Sequence, residues 1–441
     1  MIKNKLERIQ RDGVRSHWIL SLLLLAYILS FIDRNVMSLL VGPIRQEFDI
    51  SDFEYSLLHG LAFTMLYILL GLPFGWLADR SRRKWIISLG VGFWSLMTCL
   101  CGFAKSFTGL FVARMGVGIG EASLSPAAYS MLSDLYSPEK LRWATSVFAM
   151  GITLGSGLSY LIGGWLLDFY SSSDLSAWPV LVELKPWQLT FISVGVPGFL
   201  VMLLLMSVKE PARISAIAED SLEPVSLGQT FAWARGRWQL YLSIALGVSG
   251  MAVTGYGQLI WYPEMLFRTY GVSKSEVGTS LGLIFMVAGT AGTFFGAVFA
   301  SFLARCRYED ANLRTVMYSA LLSLVPASLA SLMESLLGAL SLIGFAVFFH
   351  YMHFGVAVAG LQLVTPNRMR AQYTAALLFL SNLFGLAMGG SIVAFLTDFV
   401  FGVDEALRYS LAWVAAISYA FVFLVMLWGL PYYSAVSGSS E

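Results

Sequence analysis

Twelve stretches of this chain, each about 20 residues long, are almost wholly apolar, the length a helix needs to cross roughly 30 Å of hydrocarbon. They fall near 18–42, 54–77, 85–104, 107–132, 142–168 and 187–208, then near 238–267, 275–303, 314–333, 336–363, 371–397 and 406–429. With 57% hydrophobic and 12% charged residues and a mean hydropathy of +0.71, the chain has too little polar surface for a water-soluble globule. The reading is an all-α integral membrane protein with twelve transmembrane helices.

The runs form two sets of six, so two six-helix bundles are expected over 1–208 and 238–430. Between them, 209–237 carries two prolines and mixed charge and reads as a cytoplasmic linker, with 431–441 as a cytoplasmic tail. Lys and Arg collect in inside loops. With the N-terminus inside, 20 of the 28 basic residues fall inside, six fall outside, and Arg34 and Arg114 lie within spans. Both termini are therefore expected in the cytoplasm. The basic start followed by Ile19 to Ile32 has the outline of a signal peptide, but the apolar run continues past Asp33 without a clear cleavage site, so a retained first span is expected. Cys99, Cys101 and Cys306 offer neither a disulfide framework nor metal spacing. No Asn-x-Ser/Thr sequon occurs, which is compatible with a bacterial inner membrane, and a net charge of +1 argues against a nucleic-acid partner.

The two halves carry related landmarks, Gly71-Leu-Pro-Phe-Gly75 in the second run and Gly292-Thr-Phe-Phe-Gly296 in the eighth, each followed by a basic loop, as expected of parallel repeats. Gly75-Trp-Leu-Ala-Asp79-Arg80-Ser-Arg82-Arg83-Lys84 closely resembles the loop motif between spans two and three of the major facilitator superfamily, and Lys209-Glu210-Pro211 is similar to that family's exit to its central linker. Phe31-Ile-Asp33-Arg34, the stretch Arg114 to Ser123, Trp261-Tyr-Pro263 and Pro366-Asn-Arg368-Met-Arg370-Ala-Gln resemble the Spinster-like branch. The resemblance implies that spans 1, 4, 7 and 10 line a central cavity. It also implies a proton-coupled carrier, in a branch that includes carriers of sphingoid phosphates and lysophospholipids.

Asp33, Arg34, Arg114 and Glu121 are ionisable residues inside apolar runs, where charge is costly and rarely faces lipid. Arg114 and Glu121 are seven residues apart, about 700° around a helix and about 10 Å along it, so they share a face. Counting from the span ends puts Asp33 at the depth of Arg114. Both carboxylates are then expected to meet Arg114, while Arg34, about 100° from Asp33, points elsewhere. Burial favours a protonated carboxyl and a neighbouring guanidinium favours the ionised one, so a moving arginine switches proton affinity. Asp33 and Glu121 are the candidate proton carriers. Arg114 is the candidate counter-ion or substrate ligand, because arginine stays charged and grips phosphate or carboxylate with two bonds; Arg34 is a further candidate for that role. A static buried salt bridge that fixes helix register is the competing reading.

His350 and His353, three residues apart in span ten, are candidates for a second titrating or headgroup-binding element; a zinc site lacks further ligands. Tyr256, Gln258, Trp261 and Tyr262 in span seven and Asn382 in span eleven are candidate cavity residues with aromatic walls; ordinary interface packing is the alternative for each. Glu264, near the outer end, is expected to face water. Asp79, Arg80, Arg83 and Lys84 form a candidate cytoplasmic gate, with Asp79 at the N-terminus of span eleven, joined by Asp134 and Arg142 from the next inside loop. Glycines 151, 155, 157, 163 and 164 in span five read as close helix packing.

No phosphate-loop signature or large soluble domain appears, so no cofactor is expected and a proton gradient is the expected energy source. The sequence predicts a secondary transporter working by alternating access, monomeric, with protons, an amphipathic anion and the bilayer as its partners. A proton symporter of a small organic or sugar acid is the nearest rival, because Gly118-Ile-Gly120-Glu121-Ala also resembles organic-anion symporters. A lipid-modifying enzyme lacks a nucleophile–base pair or metal set, so no catalytic residue is assigned.

Overall fold

The computed structural model describes residues 13–173, 183–211 and 227–437, with the side chains at 79, 138, 139, 142, 227, 367, 371 and 437 outside that description. Among the described residues, eleven helices are long and apolar enough to cross a membrane: Gly13–Leu39, Asp52–Ala78, Arg83–Gly102, Trp143–Ser172, Pro186–Ser207, Trp238–Tyr270, Lys274–Arg305, Ala311–Ala330, Leu336–Leu363, Gln372–Phe401 and Asp404–Val436. The remaining run, the fourth, is divided into Phe107–Glu121 and Leu124–Leu135. We number the twelve as spans 1 to 12, the fourth taking both pieces.

The chain divides into two compact units, Met1–Pro43 with Ala62–Leu222, and Ile44–Leu61 with Glu223–Glu441. The first unit is drawn tight by glycine. A side chain at Gly155 would meet the carbonyl of Ile28 at 2.7 Å, and one at Gly163 would meet Val36 and Leu39, so span 5 lies directly on span 1. The glycines of span 4 act likewise: a Cβ on Gly118 would sit 2.2 Å from the Phe63 carbonyl of span 2, and one on Gly120 2.7 Å from the Trp94 nitrogen of span 3. Small residues allow this backbone contact where hydrophobic exclusion from water gives no drive between helices.

The second unit has a core of Leu240, Ile244, Met251, Val316, Tyr419 and their neighbours on spans 7, 9, 10 and 12. It includes Ile44–Leu61, although that segment's chain neighbours belong to the first unit. Charge explains the attachment. Asp52, fully buried, accepts from both terminal nitrogens of Arg268 at 2.7 Å and pairs with Arg45 at 3.0 Å, and Arg45 reaches Asp404. Glu264 completes the cluster through Arg268 at 2.9 Å. It is 5% exposed, so the expectation that it faces water fails: Arg268, one helical turn on, turns it inward. The helix then passes through a wide π-turn at Leu57–Leu61, and span 8, its counterpart in the repeat, has one at Phe285–Gly289.

The fourth helix of each half is broken. Span 4 stops at Glu121, where the Ser123 hydroxyl takes the Gly120 carbonyl at 2.7 Å, and Pro126 enters the first turn of the next piece. Span 10 runs Leu336–Tyr351 and resumes at Val356, with Gly355 at φ +78°, a left-handed conformation that suits glycine. The carbonyls freed there are met by Ser319, whose hydroxyl lies 2.6 Å from Phe349 O and 3.1 Å from His350 O.

Two boundaries differ from the sequence reading. The last helix continues to Ser437 through Pro431, past the expected start of a tail, and Leu227–Arg235 is helical inside the expected linker, of which 212–226 lie outside the described residues. The paired glycine landmarks also differ in use. Cβ atoms at Gly292 and Gly296 would meet the Phe348 and Met352 carbonyls of span 10 at 2.1 and 2.0 Å, whereas Gly71 has nothing within 4 Å. Gly296→Ala should therefore lower the thermal midpoint in detergent by an amount equivalent to about 1–3 kcal/mol, while Gly71→Ala leaves it unchanged or raises it. Equal effects would contradict this packing.

Candidate functional site

The four intramembrane charges meet inside the first unit. Asp33, Arg34, Arg114 and Glu121 are each no more than 4% exposed. Arg34 donates from Nη2 to Glu121 Oε2 at 2.6 Å, and the Ser30 hydroxyl donates to the same oxygen at 2.7 Å. Ser30 and Arg34 are four residues apart, so span 1 presents both to the end of the broken helix in span 4. The Arg34 guanidinium lies over three rings, Phe31, Phe63 and Tyr67, at 4.5 to 5.1 Å, where π faces favour a cation.

Asp33 and Arg114 lie beside this pair and are joined differently. Arg114 Nη1 donates to the Asp33 main-chain carbonyl at 3.4 Å, which confirms that the two stand at one depth. The Asp33 carboxylate accepts from Thr98 at 3.1 Å. Its other oxygen, together with Nε and Nη2 of Arg114 and Oε1 of Glu121, is buried without a protein partner among the described residues. Such groups are rare in folded interiors and call for a functional explanation.

The expected pairing is therefore overturned. Glu121 is held by Arg34, not Arg114, and Arg34 points into the site rather than away from it. The shared helical face was read correctly, but about 10 Å along the axis is too far for one guanidinium to serve both ends. Ser30, Thr98, Phe63 and Tyr67 were not anticipated; the Ser30–Arg34 spacing was a legible signal for the first of these.

The other candidates fall in separate places. His350 Nδ1 is 3.0 Å from the Tyr419 hydroxyl, which reaches Gln258 Oε1 at 3.5 Å, and His353 Nδ1 lies 2.5 Å from the His350 carbonyl, so both histidines sit at the break of span 10. Trp261 and Tyr262 are 0 and 1% exposed, and the Trp261 indole donates to Gly390 O at 2.8 Å. They pack span 7 rather than forming an open aromatic wall. Tyr256 and Asn382 are half-buried.

Of the expected gate, Arg83 is buried against Asp134 and bonds Glu210 at 3.1 Å and Ser130 O at 2.7 Å, so Asp134 joins it. Glu210 also caps span 3 by accepting from the backbone nitrogens of Arg83 and Lys84. Lys84 donates to the carbonyls of Met206 and Val208. These contacts tie the basic loop to its own unit. Arg80 lies over Trp76 at 4.2 Å, while the side chains of Asp79 and Arg142 lie outside the described residues.

The pairing makes a stability prediction. Arg34→Gln leaves a buried carboxylate uncompensated and should destabilise the detergent-solubilised protein by about 3–5 kcal/mol, and adding Glu121→Gln should restore most of it. Arg114→Gln with Glu121→Gln should be close to additive. Strong coupling of Glu121 to Arg114 instead would reject the observed pairing.

Residues 23–394 match the family described as the Major Facilitator Superfamily. An MFS-type efflux pump of Mycolicibacterium smegmatis is 26% identical over 398 residues, covering 88% of this chain and 86% of the relative. The sphingosine-1-phosphate transporter SPNS2 of Danio rerio is 27% identical over 429 residues, covering 91% and 80%. The crystal structure of a bacterial homologue of human Spinster, inward-facing and unoccupied, superposes with a TM-score of 0.79 at 27% identity, covering 97% of this chain and 98% of the other. The chain spans about half the length of several further spinster relatives. By the family match and these relatives the chain is a multi-pass membrane transporter similar to the Spinster-like proteins, and it belongs to the Major Facilitator Superfamily.

Proposed function

We propose that this transporter is proton-coupled and moves an amphipathic anion, with Glu121 and Asp33 carrying protons and Arg34 and Arg114 exchanging between those carboxylates and the cargo. The observation that carries this reading is the buried Arg34–Glu121 pair beside an Arg114 whose Nε and Nη2 have no protein partner among the described residues. An arginine in that state has hydrogen bonds to give to a phosphate or carboxylate. If an anion draws a guanidinium from Glu121, the carboxylate is left in an apolar setting that favours its protonated form. Cargo binding and proton uptake then depend on each other through the same side chains.

The interrupted helices support the location. Irregular backbone at membrane depth is tolerated where it is buried in protein or lines a cavity, and each unit has such a break in its own fourth helix. Glu121 ends the first piece of span 4, and in span 10 His350 lies in the last turn before the break and His353 within it, where they are candidates for a second titrating element. The cargo class is supported by the relative that carries sphingosine-1-phosphate. The excess of basic residues on one side, 20 against six, supports cytoplasmic termini, and we place the protein in a bacterial inner membrane as a monomer.

In proteoliposomes under an imposed pH gradient, lysophospholipids and sphingoid phosphates should move and small organic acids should not. Glu121→Gln and Asp33→Asn should each reduce gradient-driven movement to background while the purified variants keep wild-type size-exclusion profiles. Transport confined to hydrophilic acids would reject the cargo class, and wild-type pH dependence in both variants would reject the proton carriers.

A further inference from the structure

The loop and groove below Glu121 contain a second feature that the transport site does not use. Between spans 2, 3 and 4 of the first unit lies an open hollow of about 620 Å³, walled by Leu77, Trp85, Leu89 and Phe93 with Arg80 and Arg82 among its lining residues. Its floor is set by glycine. A Cβ on Gly90 would meet Ser123 Oγ at 1.9 Å and the Gly120 carbonyl at 2.9 Å, so spans 3 and 4 come close at the glycines that line the hollow. Leu89 is 58% exposed and Trp85 41%, so the apolar walls are open to the surroundings of the protein.

The basic residues at this end are divided by partner. Arg83 is turned inward onto Asp134 and Glu210, Lys84 is bound to main-chain carbonyls, and the N-terminus of span 3 is capped by Glu210. Arg80 and Arg82 are exposed, and neither makes an ion pair with a described carboxylate side chain; Arg80 is supported by the Trp76 ring. An apolar trough that ends at two arginines has the chemistry of a phospholipid: a chain against Leu89 and Phe93, and a headgroup of net negative charge at the level where spans 2 and 3 join their loop.

We propose that this groove is a binding site for an anionic phospholipid of the leaflet on the side of the Ser81–Lys84 loop. The lipid sits there as a ligand and not as cargo, on the side of span 4 that carries Ile119 and Gly120. Gly120 lines the groove and Glu121, the next residue, pairs with Arg34, so a lipid lodged here bears on the segment of backbone that positions Glu121.

The test is lipid retention by the full-length protein, equilibrated with mixed micelles of phosphatidylglycerol and phosphatidylcholine of identical acyl chains, then desalted and read by native mass spectrometry. The wild type should retain phosphatidylglycerol over phosphatidylcholine. Arg80→Gln with Arg82→Gln should reduce that preference on the order of tenfold, and Leu89→Trp, which fills the trough, should lower retention of both lipids. Both variants alter exposed side chains, and their melting temperatures are measured alongside to confirm folding. Glycerol phosphate, the headgroup without chains, should not displace the bound lipid. An unchanged preference in the folded double variant, or equal retention of the two lipids by the wild type, would overturn the proposal, and displacement by glycerol phosphate would reject a lipid in favour of a simple anion site.

Discussion

A guanidinium and a carboxylate 2.6 Å apart, with 5% and 0% of their side chains exposed, are the constraint around which the first unit is arranged. Each charge alone would be expensive at this depth, and together they persist only with close geometry and further partners. Ser30 supplies one such partner and three aromatic rings supply others. Glycines at 118 and 120 bring span 4 near enough to spans 2 and 3 to hold Glu121 in place, and the helix ends directly after it. The pair is therefore as much a product of backbone approach as of charge.

The same economy of parts recurs in the second unit without the same result. There the outer segment Ile44–Leu61 is fixed by Asp52 between Arg268 and Arg45, close to the ends of spans 7 and 12, where part of the cluster is exposed. Its broken helix in span 10 carries histidines in place of a carboxylate. The halves thus repeat their helix breaks and π-turns while differing in which side chains those irregularities present, as the unequal packing of Gly71 and Gly292 also shows.

The fold was legible because hydrocarbon imposes it. Runs of about 20 apolar residues have few alternatives, and the loop at Gly75 to Lys84 together with Lys209-Glu210-Pro211 pointed to the family. The candidate site was legible in membership but not in pairing. Asp33, Arg34, Arg114 and Glu121 announce themselves as charges in apolar runs, yet which arginine meets Glu121 depends on the relative rotation of spans 1 and 4, which no single helix encodes. Glu264 was misread because its partner Arg268, one turn on in the same helix, is itself held by Asp52, which lies on a segment 212 residues from Glu264 in sequence. Trp261 and Tyr262 looked like cavity walls because an aromatic side chain serves burial and binding equally well.

The central claim is that an anion and a proton compete through the arginines of this site. The most direct measurement is the pH change of a weakly buffered solution of the purified protein when a lysophospholipid with a phosphate headgroup is added. The account predicts proton uptake by the wild type, seen as a rise in solution pH, that is absent in Glu121→Gln although the lipid still binds. Saturable binding without proton exchange in the wild type would contradict it.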